Sequence, residues 1–175
     1  MEHSRELYFA LDLVAFLPTL ALHLVKTNRT LIRFYLLQSL VVVAFLLAIG
    51  LAEGDRGLVI VALLSGLIKV VIAPLFFARP IRRYGTRFTT NNYLSTPLTL
   101  TALMGLVLFS YSSIFLPLGM LVPSAFGILP LNLAMILISI FMLINRRGAF
   151  SQMVGILSLE NSILLLASFI GIRQP

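Results

Sequence analysis

The sequence has no cysteine, few acidic residues and little charge of any kind. Only 6 of its 175 residues are Asp or Glu, and charged residues make up 11%, against about 25% in a typical soluble domain. The absence of cysteine excludes a disulfide framework, a thiol nucleophile and a cysteine-ligated iron–sulfur cluster in this chain. The two histidines, His3 and His23, are not at metal-ligand spacing, so we expect no metal site and no catalytic set built by this chain alone.

Apolar side chains dominate what is present. Hydrophobic residues make up 59% of the chain and the mean hydropathy is +1.05, which excludes an ordinary soluble domain and a disordered chain. A spanning helix needs about 20 apolar residues. We therefore predict a single integral membrane domain over residues 1–175, an all-α polytopic transmembrane helix bundle. The first apolar run has no basic segment before it, and we interpret it as a retained helix and not a signal peptide.

Six apolar runs are long enough to be interpreted as spanning helices. They cover about residues 7–24, 31–51, 58–77, 98–115, 126–144 and 150–172. The runs lack the alternation of barrel strands, so helices are the structure that satisfies their backbone within a bilayer. The link after the fourth run, residues 116–125, holds two prolines and a glycine and is predicted to interrupt the helix.

Lysine and arginine are unevenly distributed between alternate loops. Nine fall in the first, third and fifth loop regions, namely Lys26, Arg29, Arg33, Arg79, Arg82, Arg83, Arg87, Arg146 and Arg147. Three, Arg5, Arg56 and Arg173, fall on the opposite side, with acidic residues near them. The positive-inside rule then predicts a multi-pass protein of the inner membrane with both termini outside. The net charge of +7 is a topology signal, and we expect no nucleic-acid partner.

The third loop region, residues 79–95, is the longest polar stretch and mixes four arginines with aromatic residues, Tyr84, Phe88 and Tyr93. One interpretation is a docking surface for a cytoplasmic partner or for anionic lipid head groups of the membrane. The other is an anchor that only obeys the positive-inside rule. The sequence leaves both open.

Two ionisable residues lie where the membrane interior should be dry. Glu160 follows Phe150 by ten residues and Lys69 follows Leu58 by eleven, which places each about 15 Å deep, near the midplane of a roughly 30 Å core. Such groups cost about 2.5–3.5 kcal/mol on insertion scales, so they generally have a partner or a function. Either Glu160 and Lys69 relay protons, or they form a static pair that holds two helices together.

Further polar residues within the spans are candidates for a supporting role. Ser158, Asn161 and Gln152 share the helix of Glu160, and Gln38 lies in the second span. They are expected either to form a hydrated strip that leads to the carboxyl or to make ordinary hydrogen bonds between helices.

The remaining polar residues of the spans give weaker signals. Asp12, about 8 Å from the outer end by helical rise, and His23, near the other end, are expected to be interfacial. Asn132 is expected to hydrogen-bond a neighbouring helix.

Three stretches resemble the hydrogenase-4 component E family, and they occur in that family's order. They are Ser151–Leu166 with Glu160 followed by Asn161, Thr27–Val41 around Phe34-Tyr35 and Gln38-Ser39-Leu40, and Ile68–Leu75 with Lys69 and Pro74. The first stretch is also similar to the glutamate-bearing second helix of the NuoK subunit of complex I and to the MnhC/MrpC antiporter subunit. The resemblance covers roughly residues 20–171.

The resemblance implies a membrane subunit of a complex I-like, group 4 [NiFe] hydrogenase-type complex that couples electron flow to proton or sodium movement. It implies that the last two helices are NuoK-like and that Glu160 and Lys69 match the family's intramembrane glutamate and lysine. The implied partners are antiporter-like membrane subunits, a NuoH-like subunit and peripheral hydrogenase subunits. The nickel–iron and iron–sulfur centres are expected in those partners, with no cofactor in this chain.

One departure and two alternatives accompany the resemblance. The family normally continues into a further helix with a second acidic residue, whereas this sequence stops at Pro175 soon after the helix of Glu160. We expect the second carboxylate to be absent or to come from another subunit. The alternatives are a subunit of a cation/proton antiporter complex without a redox arm, and a purely structural membrane subunit.

Overall fold

The computed structural model describes residues 2–84, 91–121 and 127–171, and it is 87% helical. Its helices are α1 (Glu2–Leu24), α2 (Asn28–Ala52), α3 (Arg56–Gly66), α4 (Ala73–Tyr84), α5 (Thr96–Ser110), α6 (Leu116–Leu121), α7 (Leu129–Asn145) and α8 (Ala149–Gly171). A π-helical segment, Leu67–Ile72, joins α3 to α4, and a 3-10 turn, Ser113–Phe115, precedes α6. Two short strands, β1 (Asn91–Asn92) and β2 (Arg146–Arg147), form an antiparallel ribbon.

Three helical rods are long and apolar enough to cross a membrane, namely Asn28–Ala52, Arg56–Arg79 and Ala149–Ser168. A fourth crossing results if Thr96–Ser110 and Ser113–Gly119, bent by 44°, act as one span. Two shorter apolar helices, Phe9–Leu24 and Leu129–Asn145, complete the set among the described residues. The expectation of an apolar, all-α protein of the membrane type is therefore confirmed at this coarser level.

The helices cover the apolar runs but differ from the predicted bounds in several places. Helix α1 begins at Glu2 and not at residue 7, α4 continues to Tyr84 into the predicted third loop region, and α6 lies within the predicted link 116–125. The fourth run was expected to be helical to Phe115, but α5 ends at Ser110 and the chain bends there. The hydroxyl of Ser110 donates to the carbonyl oxygen of Val107 at 2.7 Å, and such side-chain bonds compete with the helical pattern. The predicted end points Phe126 and Ile172, and Arg87 and Phe88 of the third loop region, lie outside the described residues.

The link between α2 and α3 is a tight turn with a clear local cause. Gly54 has φ +66°, a conformation that favours glycine because it has no Cβ. Asp55 then caps α3, since its side chain accepts a hydrogen bond from the backbone N–H of Leu58 at 3.1 Å. The short turn brings the two helices close together: a Cβ placed on Gly50 would lie 3.0 Å from the backbone nitrogen of Val59.

Helix α2 lies at the centre of the packing, between α1, α8 and the α3–α4 rod (α3, the π segment and α4). Its buried side chains include Val42, Phe45 and Ile49. Helix α7 packs on α8, α5 and α1. The α3–α4 rod contacts mainly α2. Only 11% of the residues in its most apolar stretch are buried. Most of that rod therefore presents an apolar surface to its surroundings.

The three basic loop regions meet at one end of the bundle, which we call the basic end. The β1–β2 ribbon pairs Asn91 with Arg147 and Asn92 with Arg146, and the side-chain amide of Asn92 donates to the carbonyl oxygen of His23 at 3.4 Å. The turn with Glu53 and Asp55 follows the far end of α2. The cations and acids of the loops are thus separated along the bundle, as the alternating loops predict.

The π segment ends at Ile72, two residues before Pro74, which has no backbone N–H to donate. The N–H of Ala73 donates to the carbonyl oxygen of Ile68, five residues back. π-helical turns are rare in proteins, and those that occur often lie at functional sites. Lys69 is the one buried residue within the segment, so the widened turn holds the cation of the third apolar run.

We predict that Gly50→Ala lowers the free energy of unfolding by about 1–3 kcal/mol, because the added methyl group would press on the backbone of α3. The matched control is Gly105→Ala, since a Cβ at Gly105 meets nothing within 4 Å. Thermal unfolding of both variants in detergent measures the effect. Equal melting temperatures for the two variants would contradict the close approach of α2 and α3.

Candidate functional site

Lys69 and Glu160 meet between the α3–α4 rod and α8. Lys69 Nζ lies 3.2 Å from Glu160 Oε1, and this is the one ion pair among the described residues. The side chain of Lys69 is only 2% exposed, whereas that of Glu160 is 55% exposed. The cation therefore extends from the interior toward a carboxylate on the outer surface of the chain.

Asn161 connects this pair to the interior. Its side-chain oxygen accepts a hydrogen bond from Lys69 Nζ at 2.8 Å. Its amide nitrogen donates to Ser39 Oγ at 3.0 Å and is 3.5 Å from Gln38 Oε1. Asn161 is fully buried, so one side chain of α8 ties together the rod and α2.

The polar chain continues from α2 into α1. The amide nitrogen of Gln38 donates to Thr19 Oγ1 at 2.8 Å, and that hydroxyl donates to the carbonyl oxygen of Ala15 at 2.9 Å. Gln38, Ser39 and Thr19 are all buried. An unbroken series of hydrogen bonds and one ion pair thus extends from Glu160 at the surface to Thr19 in α1. We call Glu160, Lys69, Asn161, Gln38, Ser39 and Thr19 the polar network.

Glu160 interrupts an apolar face of α8. The other members of that outward face, spaced three or four residues apart, are Met153, Ile156 and Ile163, exposed by 38–55%. A lone carboxylate on such a face faces hydrocarbon unless another chain covers it. A charge exposed to lipid is costly, and the open side of Glu160 is the part of this site that the described residues leave uncovered.

Two of the predicted supporting residues lie elsewhere. Ser158 Oγ is 3.1 Å from Ser139 Oγ of α7. Gln152 reaches the carbonyl oxygens of Leu143 and Arg146 at 3.4 and 3.3 Å. Both make bonds between α8 and the α7 side of the bundle, whereas Asn161 and Gln38 belong to the polar network. The structure therefore divides the predicted set into two pairs.

The structure also buries two residues that were expected at the interface. Asp12 is fully buried and accepts a hydrogen bond from the amide of Asn132 at 2.9 Å. His23 is 2% exposed; its Nε2 is 3.0 Å from the carbonyl oxygen of Ile138. The interfacial prediction was wrong because the rise along a helix predicts only how far a residue lies from the helix end. It does not predict which face of the helix the residue occupies, and both residues lie on the face of α1 that packs on α7. Their spacing with Thr19, seven and four residues, is the signal that could have placed all three inside.

The electrostatics of the Lys69–Glu160 pair are closely balanced. Two unit charges 3.2 Å apart attract by about 5 kcal/mol at an effective dielectric constant of about 20. Burying Lys69 costs several kcal/mol, and the attraction to Glu160 offsets much of that cost. An extra charge near Glu160 would change this offset.

The described residues contain no group of three or more His, Cys, Asp or Glu that could hold a metal ion. No family model, curated protein or solved structure matches the chain. The site is therefore interpreted from its own geometry and from the resemblance of the three sequence stretches.

We predict that Asn161→Ala lowers the free energy of unfolding by about 2 kcal/mol. The variant removes bonds to two other helical elements, each worth about 0.6–1.7 kcal/mol in a membrane protein. Its matched control is the adjacent Ser162→Ala, because Ser162 Oγ bonds only within α8, to the carbonyl oxygen of Ser158 at 3.0 Å. Unfolding in mixed micelles compares the two, and an equal loss would show that Asn161 does not connect the helices.

Proposed function

We propose that this chain is a membrane subunit of a complex I-like, group 4 [NiFe] hydrogenase-type complex, and that it contributes to coupled proton or sodium translocation. The observation that carries the proposal is the contact of Lys69 with Glu160 at 3.2 Å. The two residues are 91 positions apart, and each is the one charged residue of its apolar run. The fold brings them together, and a hydrogen bond from Lys69 to Asn161 holds the cation there. This is the arrangement that a midplane relay requires.

The proposed step is a proton transfer along the 3.2 Å contact. In one state Lys69 carries –NH₃⁺ and Glu160 carries –COO⁻; in the other, one proton has moved and both are neutral. A cation that approaches Glu160 from its open side favours the ionised carboxylate, and its departure favours the neutral pair. Asn161 keeps Nζ in place, since its side-chain oxygen accepts from Lys69 in either state. No step requires a cofactor in this chain.

The membrane arrangement proposed with this function has six crossings, with both termini outside and NuoK-like last two helices. The clustering of the basic loops at one end supports it, because the alternation of loops requires that grouping. Helices α1 and α7, whose apolar stretches Phe9–Leu24 and Leu129–Asn145 are short, pack side by side against the longer helices. These two helices would cross the membrane packed within the bundle, and not as isolated helices surrounded by lipid.

The proposed partners cover the open side of Glu160 and the exposed surface of the α3–α4 rod. We assign this surface to antiporter-like membrane subunits and a NuoH-like subunit, with peripheral hydrogenase subunits bound to the assembly and carrying the nickel–iron and iron–sulfur centres. The mostly exposed rod supports this assignment, since lipid or another helix must cover it. The next carboxylate of the relay would come from one of these subunits.

Two other functions remain candidates. A subunit of a cation/proton antiporter complex without a redox arm would use the same Lys69–Glu160 contact. A purely structural subunit is favoured by the hydrogen bonds that hold Lys69 to Asn161 and Asn161 to α2, because such bonds stabilise helix packing in any membrane protein.

We predict that Glu160→Gln in the assembled complex lowers the rate of coupled ion transport on the order of 100-fold, the scale of a lost proton-transferring side chain. Gln keeps the size and hydrogen-bonding ability of the side chain but cannot exchange a proton. The measurement is ion uptake by vesicles, normalised to the amount of assembled complex. The matched control is Glu53→Gln, the same change at an exposed residue in the turn before α3.

The outcomes of this substitution separate the candidates. Loss of transport with normal assembly supports the relay, and unchanged transport rules it out. Loss of assembly without a transport defect in the remaining complex supports the structural role.

We predict that proteins copurified with the full chain in mild detergent include a [NiFe] large subunit, iron–sulfur proteins and antiporter-like subunits. Mass spectrometry of the purified assembly identifies them. Antiporter-like subunits without redox proteins would support the antiporter complex in place of the hydrogenase-type complex. Recovery of the chain alone would contradict both.

A further inference from the structure

A polar cleft opens at the basic end of the bundle, and none of its lining residues belongs to the polar network. It has a volume of about 350 Å³ and lies between the end of α1, the β1–β2 ribbon and the start of α5. Its polar lining includes His23, Lys26, Asn92, Ser95, Thr96 and Arg146. The cleft is level with the ends of apolar helices, which is the depth of lipid head groups in a membrane.

Arg146 is a buried cation with no counter-charge among the described residues. Its side chain is 1% exposed. Nη2 donates to the carbonyl oxygen of Leu22, and Nε has no partner among the described residues. Burial lowers the pKa of Arg146 to about 10. None of the described residues that line the cleft is acidic, so a bound anion would relieve the cost of burying this charge.

The start of α5 offers further donors to the same cleft. Ser95, at the position before the helix, makes no side-chain bond to the helical N–H groups. Pro97 has no N–H, and the amides of Thr96 and Leu98 have no backbone partner among the described residues. Free amides at a helix N-terminus attract anions, phosphate above all. Lys26, exposed on the other side of the cleft, adds a mobile positive charge.

Two residues of the cleft lining also carry a buried acceptor. Nδ1 of His23 and Oδ1 of Asn92 have no hydrogen-bond partner among the described residues. Because Nε2 of His23 faces the carbonyl oxygen of Ile138, that nitrogen carries the proton in neutral His23 and Nδ1 is an acceptor. A simple anion would satisfy the donors of the cleft and leave these two acceptors unpaired. A ligand that also carries hydroxyl groups would satisfy both.

We infer that this cleft binds a phosphate diester with a hydroxylated head group, as in the glycerol-type anionic phospholipids. The phosphate would lie against Arg146, Lys26 and the start of α5. The head-group hydroxyls would donate to His23 and Asn92. The occupant is a lipid and not a soluble phosphate ester because the cleft is at head-group depth, beside apolar helix surfaces that acyl chains can cover. Anionic lipids are also attracted to a basic end.

The test is lipid binding to the purified full chain in detergent, followed by native mass spectrometry. Phosphatidylglycerol is compared with phosphatidylethanol, an anionic diester without hydroxyl groups, and with phosphatidylcholine. We expect phosphatidylglycerol to bind about tenfold tighter than phosphatidylethanol, the value of one or two neutral hydrogen bonds. Phosphatidylcholine should bind more weakly than either. Equal binding of phosphatidylglycerol and phosphatidylethanol would overturn the inference.

Charge variants locate the binding site. Lys26→Gln and Arg146→Gln are each expected to weaken phosphatidylglycerol binding about tenfold, as for the loss of a charge-assisted hydrogen bond. The matched control is Arg29→Gln, which removes an exposed charge from the same end without lining the cleft. Lys26 is exposed, so its variant tests the site even if Arg146→Gln unfolds. If Lys26→Gln and Arg29→Gln weaken phosphatidylglycerol binding equally, the lipid is attracted by the overall charge of the basic end, and the cleft is not its binding site.

A competition arm separates the lipid from other sources of the same chemistry. Soluble glycerol phosphate at millimolar concentration should not displace the lipid, and displacement would assign the cleft to a soluble phosphate ester. Absence of lipid binding in the wild-type chain would likewise reject the lipid.

Discussion

A buried ammonium group must be paired, and the packing of the α3–α4 rod depends on how Lys69 meets that requirement. The rod contacts mainly α2 and is otherwise exposed, so its apolar side chains could slide along lipid or a neighbour at little cost. Lys69 cannot, because Nζ bonds Asn161 at 2.8 Å and meets Glu160 at 3.2 Å. In a medium without water, this requirement fixes the rod against α8.

The apolar helices, and the two ionisable residues Lys69 and Glu160 within them, could be predicted from the sequence because each depends on local composition. Glu160 and Lys69 are conspicuous in apolar runs, and most helix ends follow from where those runs stop. Which helices touch could not be predicted, since the runs are apolar on several faces. For that reason Ser158 and Gln152, on the same helix as Glu160, were grouped with it although they bond toward α7. The spacing of Thr19 with Asp12 and His23 could have placed it on the inner face of α1, but its contact with Gln38 could not be predicted.

Charge is arranged in three separate zones along this molecule. The loop cations gather at one end, where Arg146 is buried without an acid among the residues around it. Glu53 and Asp55 lie at the other end, and the Lys69–Glu160 pair lies between. Two of these zones are left incomplete by the described residues: the pair lacks cover on the side of Glu160, and the cleft at the basic end has no acidic residue in its lining. In the proposals above, protein covers the first and lipid supplies the anion of the second.

The π segment has a consequence for the rotational phase of the α3–α4 rod. An α-helix turns by about 100° per residue, so two residues eight positions apart would point about 80° away from each other. Lys69 and Phe77 are eight positions apart, yet both reach α8: Lys69 meets Asn161, and the ring of Phe77 lies 5.0 Å from that of Phe150. The wide turns between them absorb the mismatch. A strictly α-helical rod of this sequence would turn either its cation or its aromatic ring toward α8, whereas the larger number of residues per turn in the π segment lets one face of the rod hold both.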